Sequence, residues 1–171
     1  MIKETLEVMA PIAKNVPEEL TERWQWVLWR LEERDGKLTK VPYQPNHHRA
    51  SASDLMTWST FEGALSVFEI SRNLDIESRF EPFHGIGFML SSADPFCGID
   101  LDKCRNSETG DIAPWALEIL DRVRDGYVEI SPSGTGIHVI IRGDVRGGGI
   151  RRGPVEMYSR GRYFTITGRV L

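Results

Sequence analysis

The sequence predicts an α+β fold in which helices pack on a mostly antiparallel sheet. Most of the chain consists of short runs rich in apolar and aromatic residues, separated by turns that contain glycine or proline. Only two longer stretches show the apolar spacing of an amphipathic helix. With 171 residues the chain can bury a core that needs no disulfides, so residues 1–171 are predicted to form a single domain.

The first two predicted strands form a hairpin. Residues 24–31 are bulky and apolar, and the sequence Arg-Asp-Gly-Lys at 34–37 has the composition of a tight turn. Residues 38–43 supply the partner strand. Pro42 cannot donate a ladder hydrogen bond, so this strand is expected at the edge of the sheet or to end there.

Two helices are predicted between strands. Ser59 and Glu62 have the spacing of a capping box, and the helix that they open fades near Asn73. Pro114 suits the first turn of the second helix, and Gly126 is a plausible end for it. Residues 1–16 are expected to be an arm or short helix, and residues 75–84 an irregular connection.

The remaining strands lie in the second half of the chain. The first two are predicted to be neighbours, joined by a turn at 91–95, and the triple glycine 147–149 is taken as an interruption. The predicted strands are 85–90, 97–103, 127–130, 137–141, 154–158 and 162–167.

Composition limits the classes of function. The chain has no apolar run of membrane-spanning length and no signal peptide, and its two cysteines suit a reducing compartment, which predicts a cytoplasmic protein. The net charge of -4 argues against a large nonspecific nucleic-acid surface. Seven arginines from Arg142 onward, against only Asp144 and Glu156, nevertheless predict that the last part of the chain can contact polyanions.

Asp100 and Asp102 are the first candidate metal ligands. In a strand they point to the same face, and two such carboxylates repel each other unless a cation lies between them. The alternative is a strand end that frays into solvent, where both are ordinary surface acids.

A small-residue loop precedes the candidate His138. Its glycines let backbone N–H groups converge, and its hydroxyls add donors for phosphate oxygens. The alternative is a tight turn followed by a core histidine. The loop residues are Ser131, Ser133, Gly134, Thr135 and Gly136.

Two further candidates follow in the chain. Glu156 lies in an apolar strand and is the best candidate for a third carboxylate, although an outward-facing residue on a half-exposed strand is common. Arg160 and Arg162 offer guanidinium groups to a phosphate, whereas an exposed hairpin tip is the simpler interpretation for Arg160.

Three sequence motifs in this order resemble those of the archaeo-eukaryotic primase superfamily. They are Gly-Ile-Asp-Leu-Asp, then Ser-Pro-Ser-Gly-Thr-Gly-Ile-His, then Glu-Met-Tyr-Ser-Arg-Gly-Arg-Tyr-Phe-Thr-Ile-Thr-Gly. More narrowly, the chain resembles the primase-polymerase domains of phages and plasmids, from about Trp24 to Gly168. Each motif alone is weak evidence, and the ordered set is specific.

The resemblance implies a fold and a role for each matched residue. The implied fold is an RRM-like sheet that carries the acids, packed against a small N-terminal α/β module. Asp100, Asp102 and Glu156 match metal-binding acids, although many relatives have aspartate at the third position. His138, with Ser131 and Ser133, and Arg162 match residues that contact the nucleotide. Lys40 is a less certain match to a lysine near the site.

These matches predict a template-directed DNA polymerase or primase that uses two Mg²⁺ or Mn²⁺ ions to join nucleotides and release pyrophosphate. The expected partners are a single-stranded DNA template, a primer and a dNTP or NTP, with a possible helicase region and a monomeric state. Relatives often continue into helical and helicase regions, so the chain is expected to be a catalytic fragment that extends primers better than it makes them. The alternatives are a metal-dependent nuclease and a non-catalytic single-strand-binding module of a replication protein.

Overall fold

A computed structural model of the chain describes residues 10–73 and 81–171. The predicted N-terminal arm and the irregular connection after Asn73 fall largely outside these residues. The predicted α+β class is confirmed: the described residues form two antiparallel sheets and few helices. The RRM-like arrangement stays a prediction. No helix among the described residues is long and apolar enough to span a membrane.

Within residues 10–73 and 81–171 the helices are short, and two of them exceed one turn. They are α1 (Glu18–Thr21), α2 (Phe61–Asn73) and α3 (Pro114–Arg122), with 3-10 turns at Ala13–Asn15 and Leu55–Thr57. The strands are β1 (Trp26–Arg34), β2 (Lys37–Tyr43), β3 (Gly85–Leu90), β4 (Phe96–Leu101), β5 (Tyr127–Ile130), β6 (Ile137–Arg142), β7 (Gly149–Arg152), β8 (Val155–Tyr158) and β9 (Arg162–Ile166).

The four-stranded sheet has the order β2-β1-β3-β9, and the five-stranded sheet has the order β5-β6-β4-β8-β7. The predicted hairpin between β1 and β2 is confirmed. Asp35 (φ 51°) and Gly36 (φ 74°) both have positive φ, as a two-residue hairpin turn requires. The last strand, β9, completes the sheet that the N-terminal strands begin.

The prediction that β3 and β4 are neighbours in one sheet is wrong. β3 pairs with β1 and β9, whereas β4 pairs with β6 and β8. The Asp94 carboxylate accepts hydrogen bonds from the backbone N–H groups of Ser91 (2.8 Å) and Phe96 (2.7 Å). It also accepts one from the Gln25 side chain (2.7 Å). These bonds fix a turn that passes the chain from one sheet to the other.

Two further predictions are corrected. The first turn of α2 is capped by the Thr60 hydroxyl, which accepts a hydrogen bond from the Gly63 N–H (3.0 Å), because Ser59 is held in a backbone bridge with Trp26. The glycines at 147–149 do not merely interrupt the sheet, since Gly149 begins β7. A Cβ there would lie 2.5 Å from the Tyr158 ring, so glycine allows this strand to pair closely with β8.

Two hydrophobic cores hold the layers together. In the first core, α2 and the four-stranded sheet pack with Phe96 and Ile140 of the five-stranded sheet. In the second core, Ile99 and Leu101 of β4 pack with neighbouring strands and with α3. Because side chains alternate along a strand, Asp100 points away from α3.

Candidate active site

Five ionisable residues lie side by side across the five-stranded sheet. Antiparallel register places Glu129 opposite His138, His138 opposite Asp100, Asp100 opposite Glu156, and Glu156 opposite Arg151. Directly opposite residues in such a ladder have their Cβ atoms about 4.5–5.5 Å apart on one face. We call this line of side chains the charged row. It brings together Asp100, His138 and Glu156, which are far apart in the sequence.

A cavity of about 260 Å³ lies at the charged row. Five of the residues predicted from sequence line it: Lys40, Asp100, His138, Glu156 and Arg162. The other lining residues are Tyr158, Tyr163, Phe164 and Thr165. Gly98 makes room for this arrangement, because a Cβ there would lie 2.5 Å from the Phe164 ring. The cavity therefore joins residues of both sheets.

His138 is nearly buried and presents one ring nitrogen to the site. Its Nδ1 lies 3.0 Å from the carbonyl oxygen of Thr165, which can only accept, so Nδ1 carries the hydrogen in this contact. Its Nε2 lies 3.8 Å from Asp100 Oδ1. The ring packs edge-on against Phe164 at 5.5 Å between centroids. His138 is thus both a core histidine and a cavity residue.

Asp100 carries a carboxylate in an unfavourable environment. Burial is the largest cause that raises its pKa, and the neighbouring Asp102 and Glu156 carboxylates raise it further. His138 and Lys40 act in the opposite direction without cancelling the effect. A bound cation would relieve this repulsion.

Lys40 reaches the same site from β2. Desolvation of its ammonium group lowers the Lys40 pKa, while Asp100 and Asp102 oppose that effect. The ammonium nitrogen lies 5.8 Å from the centre of the Trp29 ring. The sequence match of Lys40 to a lysine near the site agrees with this position.

Glu156 is held by cationic and hydroxyl groups. Its carboxylate contacts Arg151 (3.2 Å) and Arg162 (3.4 Å) and accepts a hydrogen bond from the Tyr158 hydroxyl (2.6 Å). The guanidinium of Arg162 also lies over the Tyr158 ring at 4.6 Å. In this arrangement arginines neutralise the carboxylate that faces Asp100.

Asp102 lies beside the cavity and does not line it. It was predicted in the strand with Asp100, but β4 ends at Leu101 and Asp102 begins the following turn. Its N–H donates to the Pro154 carbonyl (2.8 Å), so it stays next to the turn that leads into β8. The strand ends here because Lys103 takes a left-handed conformation (φ 51°).

The predicted phosphate loop also lies outside the cavity lining. Ser131 is buried, and its hydroxyl accepts a hydrogen bond from the Gly136 N–H (3.1 Å). The Ser133 hydroxyl lies within hydrogen-bond distance of Ser131 (3.1 Å) and Thr135 (2.9 Å). Gly134 has φ +75°, as a tight turn here requires. The hydroxyls therefore bond to one another, at the end of the sheet next to Leu101.

The carboxylates at the charged row have the chemistry of metal ligands but not the arrangement of a metal site. Among residues 10–73 and 81–171, no three side chains of His, Cys, Asp or Glu are arranged to hold a metal ion. The donor types nevertheless fit a hard divalent cation, since Asp100, Asp102 and Glu156 supply carboxylate oxygens. Glu156 would have to exchange its arginine contacts for the ion. The carboxylates therefore fit by chemistry, without forming a ready-made cage.

Glu129 was missed by sequence reasoning. It is fully buried, and its carboxylate accepts hydrogen bonds from the N–H groups of Thr167 (2.9 Å) and Gly168 (2.8 Å) and from the Tyr127 hydroxyl (2.6 Å). It also lies 3.5 Å from His138 Nδ1. An acid in an apolar strand was a detectable signal, and the same signal identified Glu156.

Two polar atoms in the cavity lining lack partners. The Tyr163 hydroxyl and the Thr165 hydroxyl are buried and form no hydrogen bond within the part of the chain that the structure describes. Burial raises the pKa of Tyr163, so this phenol stays protonated. Unpaired buried donors at a cavity are consistent with a polar ligand.

Comparison with known proteins identifies a relative from a phage. No model of a known protein family matches the chain. The chain is similar to a DNA primase-polymerase of Nitratiruptor phage NrS-1. The two sequences are 35% identical over 154 residues, which take in 85% of this chain and 19% of the phage protein. The chain thus spans about a fifth of that relative's length. The similarity supports a primase-polymerase relationship, and membership of the archaeo-eukaryotic primase superfamily stays a prediction.

Proposed function

We propose that this chain is a template-directed nucleotidyltransferase of the primase-polymerase type. The observation that carries the proposal is the charged row. It sets Asp100 and Glu156 side by side, next to His138, in a chain similar to a phage DNA primase-polymerase. The substrates are a dNTP or NTP, a primer and a single-stranded DNA template. In the reaction a 3′-hydroxyl oxygen bonds to the α-phosphorus, its proton passes to solvent, and the bond to pyrophosphate breaks.

The acids are assigned to a pair of divalent cations. Asp100, Asp102 and Glu156 would hold Mg²⁺ or Mn²⁺, which would supply charge stabilisation and activation of the attacking hydroxyl. A nuclease would use the same acids. The cationic groups Lys40 and Arg162 at the cavity suit a triphosphate substrate and so favour nucleotidyl transfer.

The remaining cavity residues bind and orient the nucleotide. Lys40 and Arg162 present positive charge to phosphate oxygens and offset the negative charge that develops during transfer. His138 joins them as a donor at Nε2 in its doubly protonated form, since its Nδ1 hydrogen already faces the Thr165 carbonyl. The unpaired hydroxyls of Tyr163 and Thr165 are available to the sugar or base. The Ser131–Gly136 hydroxyls would have to leave their mutual hydrogen bonds to contact phosphate.

The test is primer extension by Asp100→Asn and by Asp102→Asn, with Mg²⁺ and separately with Mn²⁺. We expect a fall of about 10³-fold or more, because cation stabilisation contributes several kcal/mol and each 1.36 kcal/mol is tenfold in rate. Asp125→Asn, an exposed acid outside the cavity, is the matched control and should retain activity.

Two readouts separate the alternatives. Pyrophosphate release from dNTPs supports the proposal, whereas shortened DNA products would indicate a nuclease. Near-normal incorporation by either aspartate variant would remove the metal assignment. We further propose that the chain extends existing primers more readily than it begins new ones, which is measured by comparing primed and unprimed single-stranded templates.

A further inference from the structure

A second pocket, of about 420 Å³, adjoins the cavity at the charged row. Tyr158 and Arg162 line both spaces. The rest of its lining comes from residues 147–151 at the start of β7 and from Arg160 and Gly161 in the turn between β8 and β9. We call this space the glycine–arginine pocket.

The glycine–arginine pocket lies on the same face of the five-stranded sheet as the charged row. Tyr158 is two residues beyond Glu156 on β8, so both side chains point to that face. Gly149 and Arg151, which lie opposite them on β7, share it. The distance from β8 to β7 is one strand spacing, about 4.8 Å. A molecule that occupies the cavity can therefore extend directly into the pocket.

The cavity at the charged row is small for the substrate assigned to it. Its volume of about 260 Å³ lies below the roughly 300–1,000 Å³ of typical small-molecule sites. A nucleoside triphosphate is a large ligand of this kind, and it binds together with divalent cations. The cavity and the glycine–arginine pocket together fall within that range, whereas the cavity alone does not.

The guanidinium groups of the pocket outnumber the carboxylates beside them. Among the described residues, Asp144 contacts Arg160 at 3.6 Å, and Glu156 contacts Arg151 at 3.2 Å and Arg162 at 3.4 Å. Three arginines thus share two carboxylates. The side chains of Arg151 and Arg160 are 68% and 45% exposed, which leaves both able to contact an anion.

Glu156 links the pocket to the proposed metal site. Its carboxylate oxygens now contact Arg151 and Arg162, and it would exchange these contacts for a cation. Both guanidinium groups then need another acceptor on the same face of the sheet. The terminal phosphates of a nucleotide offer several negative charges close together, whereas one backbone phosphate of DNA offers a single charge. The surplus of arginines therefore favours the nucleotide.

A glycine shapes the wall of the pocket. Gly148 has φ +86°, and a Cβ there would lie 2.9 Å from Nε of Arg160. The absence of a side chain therefore lets the Arg160 guanidinium lie against the backbone. A concave surface with bare backbone and several guanidinium groups suits phosphate oxygens.

We propose that the glycine–arginine pocket binds the terminal phosphates of the incoming nucleotide, through Arg151 and Arg160. Arg162 lines both spaces, so it lies at the junction where the triphosphate passes from the cavity into the pocket. This inference rests on the proposed function and adds where the triphosphate lies. Arg160, at the turn between β8 and β9, becomes a residue that recognises the nucleotide.

The test measures the affinities of dNTP and dNMP by isothermal titration calorimetry, with Mg²⁺ and without DNA, so that no nucleotide is joined to a primer. The wild type should bind dNTP more tightly than dNMP. Arg160→Gln should weaken dNTP binding about two- to fivefold, the scale of one exposed ion pair, and leave dNMP binding unchanged. Arg152→Gln removes the same charge from β7 outside the pocket lining, and should bind both nucleotides as the wild type does.

Three outcomes would overturn the inference. Equal losses of dNTP and dNMP affinity in Arg160→Gln would show that the residue does not act on the terminal phosphates. Unchanged nucleotide affinity with weaker binding of a fluorescent primer–template would assign the pocket to a DNA phosphate. A weaker preference for dNTP in Ser133→Ala, but not in Arg160→Gln, would place the terminal phosphates at the Ser131–Gly136 loop.

The proposed function is judged separately, by primer extension. A chain that binds dNTP through Arg160 but extends no primer would contradict the polymerase activity and support the pocket. A chain that extends primers, with Arg160→Gln retaining the full preference for dNTP over dNMP, would do the reverse.

Discussion

The two sheets share antiparallel geometry and differ in what their cross-strand rows contain. In the four-stranded sheet, Leu28 lies opposite Ile86, and Ile86 opposite Ile166, so that row is apolar. In the five-stranded sheet, the corresponding kind of row is charged from Glu129 to Arg151. The apolar row buries hydrophobic surface, whereas the charged row brings ionisable groups together at an energetic cost.

The five-stranded sheet can carry this row because its other face has a separate core. Ile99 and Leu101 pack toward α3 while Asp100, between them, points to the cavity. We therefore expect substitutions in the four-stranded sheet mainly to lower the free energy of unfolding. Substitutions in the charged row should mainly lower nucleotide incorporation.

The largest expected effect on stability is from Phe88→Ala in the four-stranded sheet. Phe88 is fully buried and packs edge-on against Trp26 (5.4 Å) and Phe96 (6.1 Å). We expect the free energy of unfolding to fall by about 3–5 kcal/mol, which lowers Tm by roughly 6–20 °C. Thermal denaturation measures this, with the exposed Leu38→Ala as control. If Phe88→Ala stayed folded but lost nucleotide incorporation, the four-stranded sheet would also contribute to activity. The proposed difference between the two sheets would then be wrong.

An intermediate effect is expected from Glu129→Ala, at the buried end of the charged row. The substitution leaves the N–H groups of Thr167 and Gly168 and the Tyr127 hydroxyl without their acceptor. We expect a loss of about 1–3 kcal/mol in unfolding free energy. Incorporation should fall as well, because His138 loses a neighbour at its Nδ1 side.

Glu129→Gln separates the two roles of this residue. It retains one acceptor oxygen and should recover much of the stability lost in Glu129→Ala. If both variants incorporate nucleotide as well as the wild type at equal folded fraction, Glu129 belongs with the structural residues of the other sheet.

The smallest effect is a gain in stability from Asp100→Asn. Burial raises the pKa of Asp100, so its ionised form opposes folding above that pKa. Removing the charge should raise Tm at pH 7.5 in the presence of EDTA, by no more than about 2–4 °C for under about 1 kcal/mol, since solvent screens this half-exposed group. The gain should shrink as pH falls through the raised pKa, where wild-type Asp100 takes up its proton. A pH-independent gain would show that ionisation of Asp100 is not its cause.

Sequence predicted the α+β class, most strands and several of the residues that line the cavity. Local patterns sufficed for these, because strand alternation and the Asp35-Gly36 turn are encoded by neighbouring residues. The metal and nucleotide roles of the cavity residues stay predictions.

Local patterns could not predict that β3 and β4 belong to different sheets, since their pairing depends on contacts between residues far apart in the sequence, such as that from Gln25 to Asp94. Ladder register likewise decides that Glu129 and Arg151 join the row. No spacing in the sequence encodes that alignment.

The register of β4 against β6 and β8 has a consequence for how this chain can change in evolution or in the laboratory. Inserting a single residue into β8 ahead of Glu156 would turn the glutamate to the opposite side of the sheet, toward α3, without altering composition. Inserting two would restore its orientation but shift it two residue pairs along the ladder, away from Asp100. Length changes should therefore be tolerated in the surface turns between these strands and rejected within them.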